Sequence, residues 1–427
     1  MKIISPAIAA GGLLALASAA HAGGFYLQEQ GVRATGRAYS GEAADQGVES
    51  LWWNPASIAQ SGGEVYAGVN GIFVDGSVSD RGSTLTFPGG LTVPVGGNPR
   101  IERPIENGVV PNLAGALPIG DRFAIGLSLA GPFNLTTAYP PDSWTRYDAL
   151  KSRVFTADGQ LTAAMKATSW LDLGVGVDLQ YADAKLTNAL PNLVPGAPDG
   201  VQSLQGHGWD WGWTAGAQAH FGALSLGASY RSSVGHDLRG SAQVQGLVGP
   251  LAGANFTAPA RASFTTPWIA TLGARYRLTD RLTLNGQVQR FGWSEFGAIE
   301  VSTPTGRQTI AEGYRDTTSG GVGLDYALTP AVTVRGGVQY DPTPTPDIGR
   351  GARVPDGARW LFAAGASAKL SRRVTVDAAV AYIDFQPSTI DHATTFYGGT
   401  PAATTSQVTG HVDAQGYLLS LGVRARL

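Results

Sequence analysis

The chain is poor in the features that most folds and active sites rely on. Of its 427 residues none is cysteine, which excludes disulfides, thiolate nucleophiles and thiolate metal sites. Charged residues make up only 15%, against about a quarter in ordinary soluble proteins. The formal net charge of -2 offers no basic footprint for nucleic acid. Beyond the N-terminus no stretch approaches the ~20 continuous apolar residues of a membrane helix. The 6 histidines include no H-E-x-x-H, and no G-x-S-x-G elbow or phosphate loop occurs. No enzyme class and no cofactor is called for. Helix is disfavoured as well, because 59 glycines and 25 prolines suit turns and loops.

What is present is apolar and periodic. Hydrophobic residues reach 43%, yet the mean hydropathy is -0.01, as when apolar and polar residues alternate. The N-terminus reads as a secretory signal peptide over 1–22: Met1-Lys2, an apolar run from Ile3 to Ala20, then Ala20-His21-Ala22. An N-terminal anchor is the alternative, and the small residues and short flank disfavour it.

From about Glu64 to Leu427 a hairpin rhythm repeats six times. Two alternating segments meet at a tight turn, and a long loop rich in Gly and Pro follows. The turns fall near Gly120, Thr168, Gly222, Asp280, Pro330 and Arg372. In the clearest segment Leu171, Leu173, Val175, Val177, Leu179 and Tyr181 share one face. Asp172, Gly174, Gly176, Asp178 and Gln180 share the other. Arg275 and Arg277 interrupt another segment, and they belong on the lumen face or at the periplasmic rim.

Six hairpins with one strand before and one after give about fourteen strands. The chain is therefore expected to be all-β, a transmembrane antiparallel barrel over 64–427 in the outer membrane of a Gram-negative bacterium. Loops near 75–106, 131–152, 185–206, 236–261, 294–312, 341–357 and 387–414 should face outward. A soluble β-sandwich also alternates; the export signal, low charge and short-turn, long-loop asymmetry favour the barrel. Trp209, Trp211 and Trp213 share one strand face, either as an interfacial girdle or as a stacking surface for substrate.

Residues 23–63 do not alternate. They carry Arg33, Arg37, Glu42, Asp45 and Glu49, and the bulky pair Trp52-Trp53. Such a segment suits a hydrated interior, and a fourteen-strand barrel has a lumen too wide for strand side chains to fill. An N-terminal hatch plugging the lumen is expected; a disordered periplasmic tail would expose both tryptophans.

At these residues the chain resembles the long-chain fatty acid transporter (FadL) family, which includes aromatic-hydrocarbon channels of the TodX type. The resemblance starts at Gly36-Arg37-Ala38-Tyr39-Ser40-Gly41-Glu42-Ala43 and Asn54-Pro55-Ala56. It continues through Val110-Pro111-Asn112, Tyr181-Ala182-Asp183-Ala184-Lys185, Trp293-Ser294-Glu295-Phe296 and Pro355-Asp356-Gly357-Ala358-Arg359-Trp360. It implies a hatch-plugged barrel, monomeric among outer-membrane lipid and lipopolysaccharide. Such a barrel passes hydrophobic small molecules inward by passive diffusion. Asn54, Pro55 and Ala56 would gate the hatch.

The resemblance also implies a lateral exit at a kink in the third strand. Here that strand reads Phe123 to Ala130, then Gly131-Pro132. Proline cannot donate to a ladder and glycine weakens one. The pair either bends the strand or begins the next loop, and the resemblance favours the bend. Gly108, Ala130, Gly131 and Pro132 would then border the opening.

For substrate contacts the loops offer Phe133, Leu135, Tyr139, Trp144, Leu190 and Leu193. Fatty-acid members hold the carboxylate with two basic residues, and the matching positions here are Asn188 and Glu300. Neither is a cation, which shifts the expectation toward a neutral hydrocarbon. Lys185, Arg290 and Arg315 stand as substitutes. A general porin and a surface adhesion or antigen barrel are the competing readings.

Overall fold

The structure, a computed structural model, describes residues 23–304 and 306–427. The signal peptide expected at 1–22 lies outside the described residues. From Glu64 onward alternation builds fourteen antiparallel strands. They are β1 (Glu64–Asp80), β2 (Gly108–Ile119), β3 (Phe123–Ala130, resuming at Asn134–Ala138), β4 (Lys151–Lys166) and β5 (Leu171–Leu190). Next come β6 (Gly200–Phe221), β7 (Leu224–Arg231, then Gly235–Gln245), β8 (Phe256–Thr265, then Ile269–Arg277) and β9 (Leu282–Phe291, then Ala298–Thr303). The last are β10 (Gly306–Ala311, then Thr317–Ala327), β11 (Val332–Asp341), β12 (Arg359–Lys369), β13 (Val374–Phe385, then Ser388–Phe396) and β14 (Thr404–Arg426).

Each strand pairs with the next, and β14 returns to β1 in a continuous register from Glu64↔Arg426 to Asp80↔Gly410. The sheet is thereby closed. Alternation decides which side chains meet lipid. On β5, Val175, Val177 and Leu179 are exposed outward, whereas Asp172, Asp178 and Gln180 are buried in the lumen. The six tight turns stand where the sequence places them. The outward loops are shorter than expected, because strands continue beyond the apolar belt. β1 runs on to Asp80, β5 to Leu190 and β7 to Gln245. Trp209, Trp211 and Trp213 project outward, Trp211 at 70% exposure, beside Tyr181 and Tyr230. They form part of an aromatic belt.

Residues 23–59 form the hatch, buried throughout except for a half-buried stretch at 45–47. It holds a single α-turn (Val32–Thr35) and three 3-10 turns, Glu42–Ala44, Val48–Ser50 and Pro55–Ile58. Its lower half meets the wall through ions. Arg37 is 0% exposed and reaches Glu42 and Asp45 at 2.5 Å each and Asp325 at 3.0 Å. Arg275, one of the two arginines on β8, joins this network through Asp45 at 3.1 Å and Asp325 at 3.2 Å. Arg277 is exposed at the rim. A buried guanidinium needs such partners, because an unpaired charge there costs several kcal/mol.

Where hatch backbone crosses the wall, lumen-facing residues are glycines. Gly174 and Gly216 face each other across β5 and β6. A Cβ on either would collide with Asn54, Pro55 or Ala56.

Candidate functional site

The upper lumen is apolar, and its centre is contributed by the hatch. Phe25 stands 5.0 Å from Phe296, 5.2 Å from Trp293 and 5.8 Å from Phe133, ring centre to ring centre. Tyr26 continues the cluster to Phe291 at 5.2 Å and Phe133 at 5.5 Å. These edge-on and tilted arrangements are the favoured ones for aromatic pairs. Two small apolar cavities flank the cluster. One, about 40 Å³, is lined by Phe25, Val154, Leu204, Leu238, Phe264 and Phe296 among others. The other, about 20 Å³, lies between Gly24, Ile105, Leu135 and Phe385. A larger concavity of about 840 Å³ is lined by outward residues such as Leu226, Leu272, Val288 and Val322. It belongs to the lipid face and not to the lumen.

The cluster abuts a defect in the wall. β3 pairs with β2 only from Leu113↔Leu129 to Ile119↔Phe123. Above that, Gly108 to Asn112 of β2 pair with β1 alone. β3 breaks at Gly131-Pro132-Phe133 and resumes at Asn134, paired with β4 alone. A window thus opens between Gly108–Asn112 and Ala130–Phe133. It is closed above by the bridge Ile105↔Thr137 and the bond from Glu106 N–H to Thr136 O, 3.1 Å.

The hatch occupies the inner side of this window. Leu27 N–H donates to Pro132 O at 2.7 Å, and Asn134 N–H donates to Phe25 O at 3.0 Å. Gln30 does more. Its Oε1 accepts from Gly131 N–H at 3.3 Å and from Asn112 Nδ2 at 3.1 Å, and its Nε2 donates to Gly131 O at 3.2 Å. One amide side chain therefore makes both bonds that a neighbouring strand would have made to Gly131. Nothing in the sequence signals this residue, since the polar run Gln28-Glu29-Gln30 belongs to no motif.

Asn54, Pro55 and Ala56 sit deeper, against β5 and β6. Asn54 caps its turn by accepting from Ala56 N–H at 3.0 Å. Its Nδ2 donates to Ala43 O at 2.7 Å and to Ala217 O at 3.0 Å, joining two hatch segments to the wall.

The expected substrate contacts fall into separate groups. Phe133 and Leu135 belong to the central cluster. Tyr139 and Trp144 pack with Val78, Ile101 and Ile390. Leu190 and Leu193 lie under the outer loops with Tyr147 and Phe396. Glu300 corrects the sequence reading. It is exposed on an outer hairpin and bonded to Thr309 at 2.9 Å, while its neighbours Ile299 and Val301 turn inward. Strand alternation carries Glu300 to the opposite face, so it cannot repel a carboxylate in the lumen.

Asn188 is buried, and its Oδ1 accepts from Arg353 Nη2 at 3.2 Å. Arg353 is the mouth cation that the sequence reading missed, because it comes from the distant loop before β12. Of the three substitutes, Lys185 and Arg315 are exposed, and Arg290 pairs with Asp316 at 3.4 Å.

A polar clamp surrounds Arg353. Asp148 accepts from Ala352 N–H and meets His392 Nδ1 at 3.0 Å. Burial would raise the Asp148 carboxyl, but His392, Arg353 and the Ala352 N–H outweigh it and hold it below its ordinary value. Asp148 in turn raises His392. Desolvation lifts the nearby Glu312 carboxyl to about 7, although the residue keeps some exposed surface. Among the described residues no group of His, Asp and Glu forms a metal site.

Known proteins resemble this arrangement over nearly its whole length. A family profile described as "Outer membrane protein transport protein (OMPP1/FadL/TodX)" matches residues 13–427. Outer membrane protein P1 of Haemophilus influenzae is 27% identical, with 90% of each chain covered. The long-chain fatty acid transport protein of Escherichia coli K12 is 24% identical, over 87% of this chain and 90% of that one. Among solved structures, a Pseudomonas aeruginosa FadL homologue superposes with a TM-score of 0.82 at 22% identity, covering 94% of this chain and 99% of that one. The Ralstonia pickettii toluene transporter TbuX does so with a TM-score of 0.64 at 18% identity, covering 93% and 98%. With closed barrel, internal hatch and near full-length match together, the chain belongs to the OMPP1/FadL/TodX family of outer-membrane transport proteins.

Proposed function

We propose that this protein carries hydrophobic compounds passively through the outer membrane, by capture among the outer loops, passage along the aromatic cluster and lateral exit between β2 and β3. The observation that carries this reading is the juxtaposition of an apolar lumen with an unpaired stretch of wall. An apolar molecule gains roughly 25 cal/mol per Å² of surface it hides from water, so the cluster can hold it without a charge partner. The flanking cavities are small, and a substrate makes its space by displacing Phe25 and the hatch segment behind it.

In this reading Asn54, Pro55 and Ala56 gate. Asn54 ties two hatch segments to β6, so a shift at the top is passed to the bottom. Gly108, Ala130, Gly131 and Pro132 border the exit. Arg353 beside Asn188 supports a carboxylate-bearing chain at the mouth, and the removal of Glu300 from the lumen takes away the objection to one. The density of the hatch leaves the general-porin reading without support.

The test is uptake by cells lacking their own channel of this kind, fed labelled oleate and labelled toluene in parallel. Oleate uptake that falls in Arg353→Ala assigns fatty acids; toluene uptake alone assigns neutral hydrocarbons. Pro55→Ala and Gly131→Glu should each cut uptake about tenfold while leaving the folded barrel in the membrane. Wild-type rates in both variants would overturn gating and lateral exit.

A further inference from the structure

The periplasmic mouth is only half filled by the hatch. The turn Pro55–Ile58 packs against β4, β5 and β6. The tight turns on that arc carry little net charge: Gly120-Asp121-Arg122, Ala167-Thr168-Ser169-Trp170 and Phe221-Gly222-Ala223. The opposite arc, from β8 round to β14, stays open as a cavity of about 630 Å³. Ten basic and four acidic side chains line it.

The inner cations of this cavity are matched by the hatch network: Arg37, Arg275 and Arg335 share Asp325, at 3.0, 3.2 and 3.1 Å. The outer ones are not. Arg281, Lys369, Arg372, Arg373 and Arg426 are exposed and form no ion pair among the described residues. They come from two turns and two strand ends, so they surround the opening and do not lie in a row. At the back, Arg335 Nη1 has no hydrogen-bond acceptor although its side chain is only 3% exposed. Asp377 lies 3.7 Å from it, but that carboxylate already accepts from Ser367 and Arg424.

We propose that this half of the mouth is a binding site for a phosphate-bearing anion. A phosphate group offers several acceptor oxygens to guanidinium forks arriving from different directions, a match that a single carboxylate makes less completely. The excess of unpaired cations at the rim would draw the anion in, and attraction between exposed charges weakens as salt is added. Free phosphate in the periplasm and the headgroup of an anionic phospholipid in the inner leaflet share this chemistry. The site is separate from the proposed transport path, which runs through the upper lumen and out between β2 and β3.

Two measurements on the full-length mature protein test it. In detergent, inorganic phosphate is titrated by calorimetry. In nanodiscs of phosphatidylcholine with and without phosphatidylglycerol, native mass spectrometry reads which lipid stays bound. The comparison variant is Arg281→Ser/Arg372→Ser/Arg373→Ser, three rim residues outside the hatch network; its heat-modifiable gel mobility shows that it folds. Phosphate binding that weakens with salt and at least tenfold in the variant assigns the free anion. Selective retention of phosphatidylglycerol, lost in the variant, assigns the headgroup. No phosphate binding together with no lipid preference, or equal binding by variant and wild type, overturns the site. Oleate and toluene uptake is read separately, so this proposal and the transport reading fail independently.

Discussion

Gln30 of the hatch stands in for a missing strand partner at the window. Replacing it with alanine takes away the acceptor of the half-buried Gly131 N–H and of the buried Asn112 amide, while Gly131 O keeps Asn134 Nδ2 at 3.1 Å. Unpaired buried groups cost about 1–3 kcal/mol, so Gln30→Ala should lower stability by that order. It should also widen the exit, raising initial uptake severalfold; uptake at or below the wild-type rate would show that Gln30 does not restrict passage. The clamp at the mouth gives a second expectation. The lowered Asp148 contributes stability above its unfolded value of about 3.9, lost as pH falls through the folded one. The raised His392 contributes fully below about 6.5, and that is lost as pH rises through its folded value. Glu312, raised to about 7, opposes folding increasingly as pH climbs toward that value. The outer loops should therefore be tightest in mild acid. Hydrogen exchange of the loops, corrected for intrinsic rates, should be slower near ~pH 5 than near ~pH 8, with the difference reduced in His392→Gln.

Among the elements, the hatch and the wall fit each other through small residues. Gly174 lies under Pro55, and a leucine there would push the Pro55–Ile58 turn off β5. Overpacking of this kind costs about 1–3 kcal/mol. Gly174→Leu should leave the barrel closed but loosen the hatch, so that trypsin cuts after the otherwise buried Arg33 and Arg37. A hatch as resistant as the wild type would show that the fit is not tight. The strands themselves were legible because alternation is local: Leu171 to Tyr181 reveal β5 without help. The upper ends of β1, β5 and β7 were not, since above the lipid belt both strand faces meet loops or water and alternation fades. Counting from a motif gave Glu300 no face, and strand alternation turns it away from the lumen. Gln30 and Arg353 act through partners roughly a hundred or more residues away, and no local pattern announces such contacts.

Across the whole molecule, polarity is arranged from the outside in. Lipid meets Val, Leu and Trp; the sheet follows; then comes a lumen whose lower half is ionic and upper half aromatic. The low charge of the chain is a consequence, because most of its charged residues serve the lumen, the loops or the rim. Composition and rhythm were enough to identify the barrel, its strand number and the positions of its tight turns. They could not show that the upper lumen is closed by Phe25 of the hatch itself.

The seam between β1 and β14 has a further consequence. It joins Glu64 to Arg426, so the first strand gains its second neighbour only from a strand that the other twelve precede in the chain. Contacts between such distant residues form slowly. Until Val69 meets Leu421, the sheet is a curved ribbon with two raw edges, each able to recruit a foreign strand. A chain cut short before Thr404 would keep those edges permanently. The slower that closure is, the longer those edges stay open to a foreign strand on the way to the membrane.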